Sequence, residues 1–128
     1  MRDIFSNFLS NIQNGFKAKK SFIDVPKSRK LKKLIFFFIK EGFFLGVEET
    51  VIKFPIFRIY LKYDGQKPVI SGLIRISKVS RPVHIKVSTL RRLYKPSFVL
   101  VLSTQHGYKN GFQALMNKQG GELFCIIY

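Results

Sequence analysis

Apolar side chains recur at helical spacing up to Gly42 and at every second position from Phe57 to Tyr63 and again from Val83 to Val87. That change of period confines the chain to an α+β fold. Ile4, Phe5, Phe8, Leu9 and Ile12 trace one helical stripe, with Asp3 placed to cap its start and Gly15 near its end. A basic connector follows at residues 17–20. Pro26 and Ser28 then open a second helix whose stripe is Leu31, Leu34, Ile35, Phe38 and Ile39, with Gly42 as its stop. The triplet Phe36-Phe37-Phe38 widens this stripe and predicts burial on more than one side. Beyond Glu48-Glu49, the residues Phe57, Ile59, Leu61 and Tyr63 alternate with Arg58, Tyr60 and Lys62, as in a half-buried strand. Pro55 predicts an edge or a bulge where that strand begins. Asp64-Gly65 predicts a hairpin turn, with a partner strand running through Val69-Ile70 towards Leu73.

In the second half Val83, Ile85 and Val87 alternate with His84 and Lys86, which predicts another strand. Phe98 to Leu102 is a continuous apolar run and reads as a buried strand. Residues 111–118 predict a short helix, and Leu123 to Ile127 a final strand. The expected layout is two lobes. An N-terminal α/β lobe at 1–74 runs helix-strand-helix-strand-strand. A mainly β C-terminal lobe at 75–128 carries one short helix.

Charge narrows the function. The formal net charge is +16, with 13 Lys/Arg against 6 Asp/Glu in residues 1–64 and 10 against 1 in residues 65–128. Both halves are therefore suited to a polyanion, although charge alone does not separate DNA, RNA and an anionic membrane. The longest apolar run, Leu34 to Ile39, is bracketed by lysines and is far short of a membrane span, so no membrane partner is expected. A single cysteine, Cys125, excludes an internal disulfide and any multi-cysteine metal site. His84 and His106 have no cluster of carboxylates or thiols beside them, so no metal is expected. Ser103, His106 and Glu122 include the residue types of a triad, but no nucleophile elbow, phosphate-binding glycine loop or carboxylate pair accompanies them. No catalytic residue, cofactor or small-molecule substrate is expected.

The sharpest local pattern is Ser103-Thr104-Gln105-His106-Gly107, followed thirteen residues after Gly107 by Gly120-Gly121-Glu122. Two hydroxyls beside a glycine-permitted turn suit the reading of irregular RNA, whose 2′-hydroxyl distinguishes it from DNA. The competing reading is a turn capped by its own hydroxyls. Glu122, the sole acid of its half, either pairs with a neighbouring Lys or Arg or accepts from a base amino group. Lys27, Arg29, Lys30, Lys32 and Lys33 surround the second helix, and Arg75, Lys78 and Arg81 lie between the halves. Each group suits phosphate tracking or an ordinary solvated surface.

Taken in order, these segments resemble small-subunit ribosomal protein eight of the bacterial and organellar type. The resemblance rests on Leu9-Ser10-x-Ile12-x-Asn14, Val25-Pro26-x-Ser28-Arg29, Glu41-Gly42-Phe43 and Leu61-Lys62-Tyr63. It continues through Gly72-Leu73-x-Arg75-Ile76-Ser77-Lys78, Ser103-Thr104-x-x-Gly107 with Ala114, and Gly120-Gly121-Glu122 with Cys125. It implies two lobes, contacts with neighbouring small-subunit proteins, and binding to the central domain of small-subunit ribosomal RNA. In that family the Ser-Thr loop enters an irregular internal loop of a hairpin. The resemblance then makes Ser103, Thr104 and Glu122, with Gln105 and Gly107 around them, the expected base and ribose contacts. Lys27, Arg29, Arg75 and Lys78 become the expected phosphate contacts, and His84 stands where relatives often have tyrosine. Gln105-His106 replaces the usual Ser-Lys, and Asn110-Gly111 replaces Thr-Asp, a change expected to weaken the cap of the short helix. With 14 Phe, no Trp and only Ala18 and Ala114 as alanines, the residue usage suggests an A/T-rich gene. The expected location is a mitochondrial small subunit, with a plastid as the alternative. The alternative function is a general basic nucleic-acid-binding protein without ribosomal RNA preference.

Overall fold

The computed structural model describes residues 3–50 and 55–128. Contacts divide the chain into two units, one up to Ser71 and one from Gly72 to Tyr128. The first unit is built from α1 (Ile4–Lys17), β1 (Phe22–Pro26), α2 (Arg29–Lys40), β2 (Phe44–Thr50), β3 (Ile56–Leu61), β4 (Tyr63–Asp64) and β5 (Lys67–Pro68). The second holds β6 (Leu73–Arg75), β7 (His84–Ile85), α3 (Val87–Leu93), β8 (Val99–Thr104), β9 (Gly107–Asn110), α4 (Gly111–Met116) and β10 (Gly121–Ile127).

In the first unit Asp3 caps α1 by accepting from the N–H groups of Phe5 (3.1 Å) and Ser6 (3.4 Å). Phe8, Leu9, Ile12 and Phe16 form its buried face. Gly15 stands near the end of α1, two residues before Lys17. A Cβ there would stand 2.6 Å from Ile23 Cγ2, so the missing side chain lets helix and strand approach closely. α2 ends at Gly42 (φ +87°), with the Phe43 N–H bonded to Phe38 O and the Gly42 N–H to Ile39 O, a Schellman arrangement. The phenylalanine triplet does not bury α2 on several sides. Phe37 and Phe38 are buried while Phe36 is 50% exposed, because a rotation of about 100° per residue carries it off the apolar face.

The three strands order as β1–β3–β2, all antiparallel. Ile23, Val25, Phe57, Ile59, Leu61 and Phe44 are buried together with the helix stripes, and Phe38 packs edge-on against Phe44 at 5.3 Å. Pro55 does not place β3 at an edge. It immediately precedes the central strand, where its missing N–H interrupts no ladder. The Asp64-Gly65 turn forms, but its ladder is the two-residue pair β4–β5. The main partner of β3 is β2, and Leu73 belongs to β6, which pairs with β10.

In the second unit the sheet order is β6–β10–β8–β9, with β7 also beside β10 and every pairing antiparallel. Leu90, Leu100, Leu102, Ala114 and Leu123 form the core, joined by Ile76, Ile85, Leu115 and Ile126. The unit is mainly β but has two short helices. The alternating pattern at 83–87 yields a strand at His84–Ile85 alone, because Val87 opens α3. Burial of Leu90 (0% exposed) outweighs the low helix propensity of Val87, Ser88 and Thr89. Asn110 caps α4 well. Its side chain accepts from the Gln113 N–H (2.8 Å) and the Gln113 side chain accepts from the Asn110 N–H (3.1 Å), so replacing Thr-Asp has not weakened this cap.

α4 closes through Lys118 (φ +51°), with the Gln119 N–H bonded to Ala114 O at 2.9 Å. A left-handed L-residue costs about 1–2 kcal/mol, and glycine avoids that strain at an entropic cost of about 0.5–1 kcal/mol. Lys118→Gly is therefore expected to raise the unfolding free energy by about 0.5–1 kcal/mol in urea titrations. Burial pushes the Cys125 thiol, ordinarily near 9, up to about 12, and the Tyr108 phenol, ordinarily near 10, up to about 12 as well. Both folded-state values are raised, so their contribution is full below about pH 9 and is lost as pH rises towards 12. Thermal unfolding against pH should show stability falling above pH 9, by about 1 kcal/mol per pH unit from Cys125. Cys125→Val should flatten that alkaline limb.

Candidate nucleic-acid interface

β8 and β9 are joined by the two-residue turn Gln105-His106, with Thr104 opposite Gly107 and Ser103 opposite Tyr108. Gly107 takes φ +98°, a backbone conformation that favours glycine. The Thr104 hydroxyl donates to Gly107 O (2.8 Å) and accepts from the His106 N–H (3.1 Å). The capped-turn reading therefore holds for Thr104. The Ser103 hydroxyl, one position back and half-buried, takes part in none of the hydrogen bonds of the described residues.

The second glycine pair completes the surface. Gly121 lies against the end of β8, where a Cβ would stand 2.8 Å from Ser103 O, and a Cβ on Gly120 would stand 2.4 Å from Ile85 O. Only residues without side chains let these three segments converge. Glu122 is paired across the sheet with Ser103 on one side and His84 on the other. The fold thus brings Ser103, Thr104, Gln105, Gly107, Glu122 and His84 to one end of the second sheet, with Gln105, Gly107 and His84 exposed.

Glu122 is held by a residue the sequence reading missed as a contact. Ser77, fully buried, donates its hydroxyl to Glu122 Oε1 (2.5 Å) and accepts from the Val83 N–H (3.1 Å). No Lys or Arg forms an ion pair with Glu122 among the described residues. The clue lay in the Arg75-Ile76-Ser77-Lys78 segment, but hydrophobic periodicity gives no reason to bury a serine. Arg75 is likewise built into the fold. Its Nε donates to Ser77 O, and its guanidinium lies 4.7 Å from the Phe124 ring centroid. Lys78 stands at a tight turn, bridged to Arg81 by paired backbone bonds of 3.2 and 3.0 Å, and both side chains are exposed.

Lys27 and Arg29 lie in the first unit. Lys27 forms an ion pair with Glu49 at 3.0 Å, as Lys32 does at 3.2 Å, and these ammonium groups hold the Glu49 carboxyl below its usual range. Arg29 is exposed at the start of α2. Among the described residues no group of three or more His, Cys, Asp or Glu could hold a metal, and no helix is long and apolar enough to cross a membrane.

A sequence profile described as ribosomal protein S8 matches residues 3–128. The chain is 34% identical over 128 residues to small ribosomal subunit protein uS8 of Desulfovibrio desulfuricans, covering 100% of this chain and 99% of the relative. It is 32% identical over 130 residues to the protein of that name from Chlamydia trachomatis, covering 98% and 96%. The similarity to the Rhodospirillum centenum protein of that name is also 32%, covering 100% and 98%.

Removing the Ser77 hydroxyl leaves a buried N–H and a carboxylate oxygen without their partner. Ser77→Ala is expected to destabilise the protein by about 1–3 kcal/mol. A double-mutant cycle with Glu122→Gln in urea should return a clear coupling energy, because the two side chains share one hydrogen bond.

Proposed function

The chain belongs to the ribosomal protein S8 family, a family of structural ribosomal proteins, and on that premise we propose that it binds and orders the central domain of small-subunit ribosomal RNA. The convergence of the Ser103-Thr104 turn, Gly121 and the Ser77-anchored Glu122 carries this reading. The formal charge of +16 first draws the protein onto the phosphate backbone, releasing counterions. Lys78, Arg29 and, more weakly, the ion-paired Lys27 serve that step, while Arg75 braces the strand behind the site.

Discrimination then falls to the turn. Its narrow, glycine-bordered tip suits an irregular internal loop of a hairpin, where bases and 2′-hydroxyls are accessible. The Ser103 hydroxyl is available to donate and accept. The Thr104 hydroxyl, its proton already given to Gly107 O, offers one remaining lone pair. Glu122, set by Ser77, accepts from a base amino group, and Gln105 and His84 border the contact. In the particle the protein also meets neighbouring small-subunit proteins. The Phe-rich, Ala-poor residue usage suits an A/T-rich organellar gene, and the departures at Gln105-His106 and Asn110-Gly111 suit a mitochondrial ribosome better than a plastid one, although the relatives named above are bacterial.

The test is salt-dependent binding of the full chain to the internal-loop hairpin of its own small-subunit RNA, against a fully paired hairpin of equal length. Preference for the irregular hairpin should persist at raised salt. Ser103→Ala/Thr104→Val should reduce that preference by about tenfold, as expected for the loss of one or two hydrogen bonds. Equal, salt-labile binding to both hairpins would instead identify a general basic nucleic-acid-binding protein.

A further inference from the structure

The face of the β1–β3–β2 sheet turned away from α1 and α2 contributes nothing to the site above. β1 presents Phe22 and Asp24 there, β3 presents Arg58 and Tyr60, and β2 presents Gly46 and Glu48. Phe22 stands opposite Tyr60 with ring centroids 6.1 Å apart, and the Arg58 guanidinium lies 4.2 Å from the Phe22 centroid. Asp24 fixes that guanidinium through Nε (2.9 Å) and Nη2 (3.2 Å), and Tyr60 donates its phenol to Glu48 at 2.8 Å. The guanidinium thus lies over the Phe22 ring and Tyr60 stands edge-on beside it, with 61° between the ring planes and Phe22 37% exposed. Gly46, across from Tyr60, leaves room beside that ring, since a Cβ there would meet no atom within 4 Å.

The border of this face is cationic. Lys19 and Lys20 precede β1, Lys62 follows β3, and all three side chains are exposed at the Phe22–Tyr60 end. A backbone bond from the Leu61 N–H to Ser21 O (3.0 Å) and a side-chain bond from the Tyr63 phenol to Lys20 O (2.5 Å) hold these two chain segments together. We propose that this face is a stacking platform for unpaired RNA bases. Tyr60 and the Phe22–Arg58 pair receive the base faces, and Lys19, Lys20 and Lys62 receive the flanking phosphates.

Two observations favour RNA over a protein neighbour. The Arg58 guanidinium cancels the charge of Asp24, so the one uncompensated carboxylate on the face, Glu48, is outnumbered by the three lysines at its border. The formal charge of +16 draws a polyanion and repels cationic chains. Aromatic and guanidinium planes held on an open antiparallel sheet can stack bases without regard to their identity. The contact is separate from the Ser103-Thr104 turn and does not depend on the central-domain reading.

The experiment compares the full chain with Phe22→Thr/Tyr60→Thr, which keeps both charge and strand propensity. The probes are a labelled oligouridine and an RNA duplex of the same length. Single-strand affinity should fall by about tenfold or more, with duplex affinity and the unfolding midpoint little changed. Introduced into Ser103→Ala/Thr104→Val, the same Phe22→Thr/Tyr60→Thr change should lower oligouridine affinity by the same factor as in the unmutated protein, because independent sites add, which separates this platform from the turn. In the unmutated protein, thiouridine-substituted RNA should photocrosslink to the peptides holding Phe22 or Tyr60. Unchanged single-strand affinity, a loss shared equally by the duplex, or crosslinks confined to other peptides would overturn the proposal.

Discussion

The second unit depends on a single strand with one irregular residue. β10 bonds to β8 along one edge and to β6 and β7 along the other, so the position of every site residue in this unit is referred to it. Its ladder with β8 slips between Leu123 and Cys125, leaving Phe124 as the extra residue of a bulge. Phe124 O accepts from the N–H groups of both Ile76 (3.1 Å) and Ser77 (3.3 Å). The bulge lets Leu123 and Ile126 both reach the core and turns Phe124 towards Arg75 and Tyr108. It also delivers Ser77 to Glu122. A change at this bulge would move the carboxylate and the recognition turn together.

The first unit is organised by aromatic packing on one side of its sheet. Phe8, Phe38 and Phe44 meet with centroids 5.3 to 6.5 Å apart, and the 3.6-residue stripes of α1 and α2 supply the rest of the cover. Because both helices lie on that side, the opposite side of β1, β3 and β2 remains available. Its occupants are cross-strand pairs whose polar members hold one another, as Asp24 holds Arg58 and Glu48 holds Tyr60.

Features with a local physical cause were legible in the chain. Asp3, Gly42 and Gly107 act where a cap, a stop and a turn were expected, because each function depends only on the residue and its immediate backbone. The second helix of the second unit was not legible. Val87, Ser88 and Thr89 are poor helix formers, and only burial of Leu90 explains why α3 forms. β2 was similarly hidden, since Gly46 and Glu48-Glu49 break its apolar alternation. At the candidate site the hydroxyl turn and Glu122 could be named, but the role of Ser77 could not. A serine forty-five positions from Glu122 becomes its partner only when β6 is laid beside β10.

The sequence by itself determined the α+β class, the basic character of both halves, the two amphipathic helices and the glycine-bordered turn, all of which follow from period, charge and local conformational preference. Tertiary structure decided which strands pair, how the unbroken run Leu123 to Ile127 divides between two faces, and which side chains hold Glu122 and Arg58 in place. An apolar run with no alternation has no preferred face of its own. A register shift and contacts between residues far apart in sequence supply that choice, because their energy exists only once the strands are side by side.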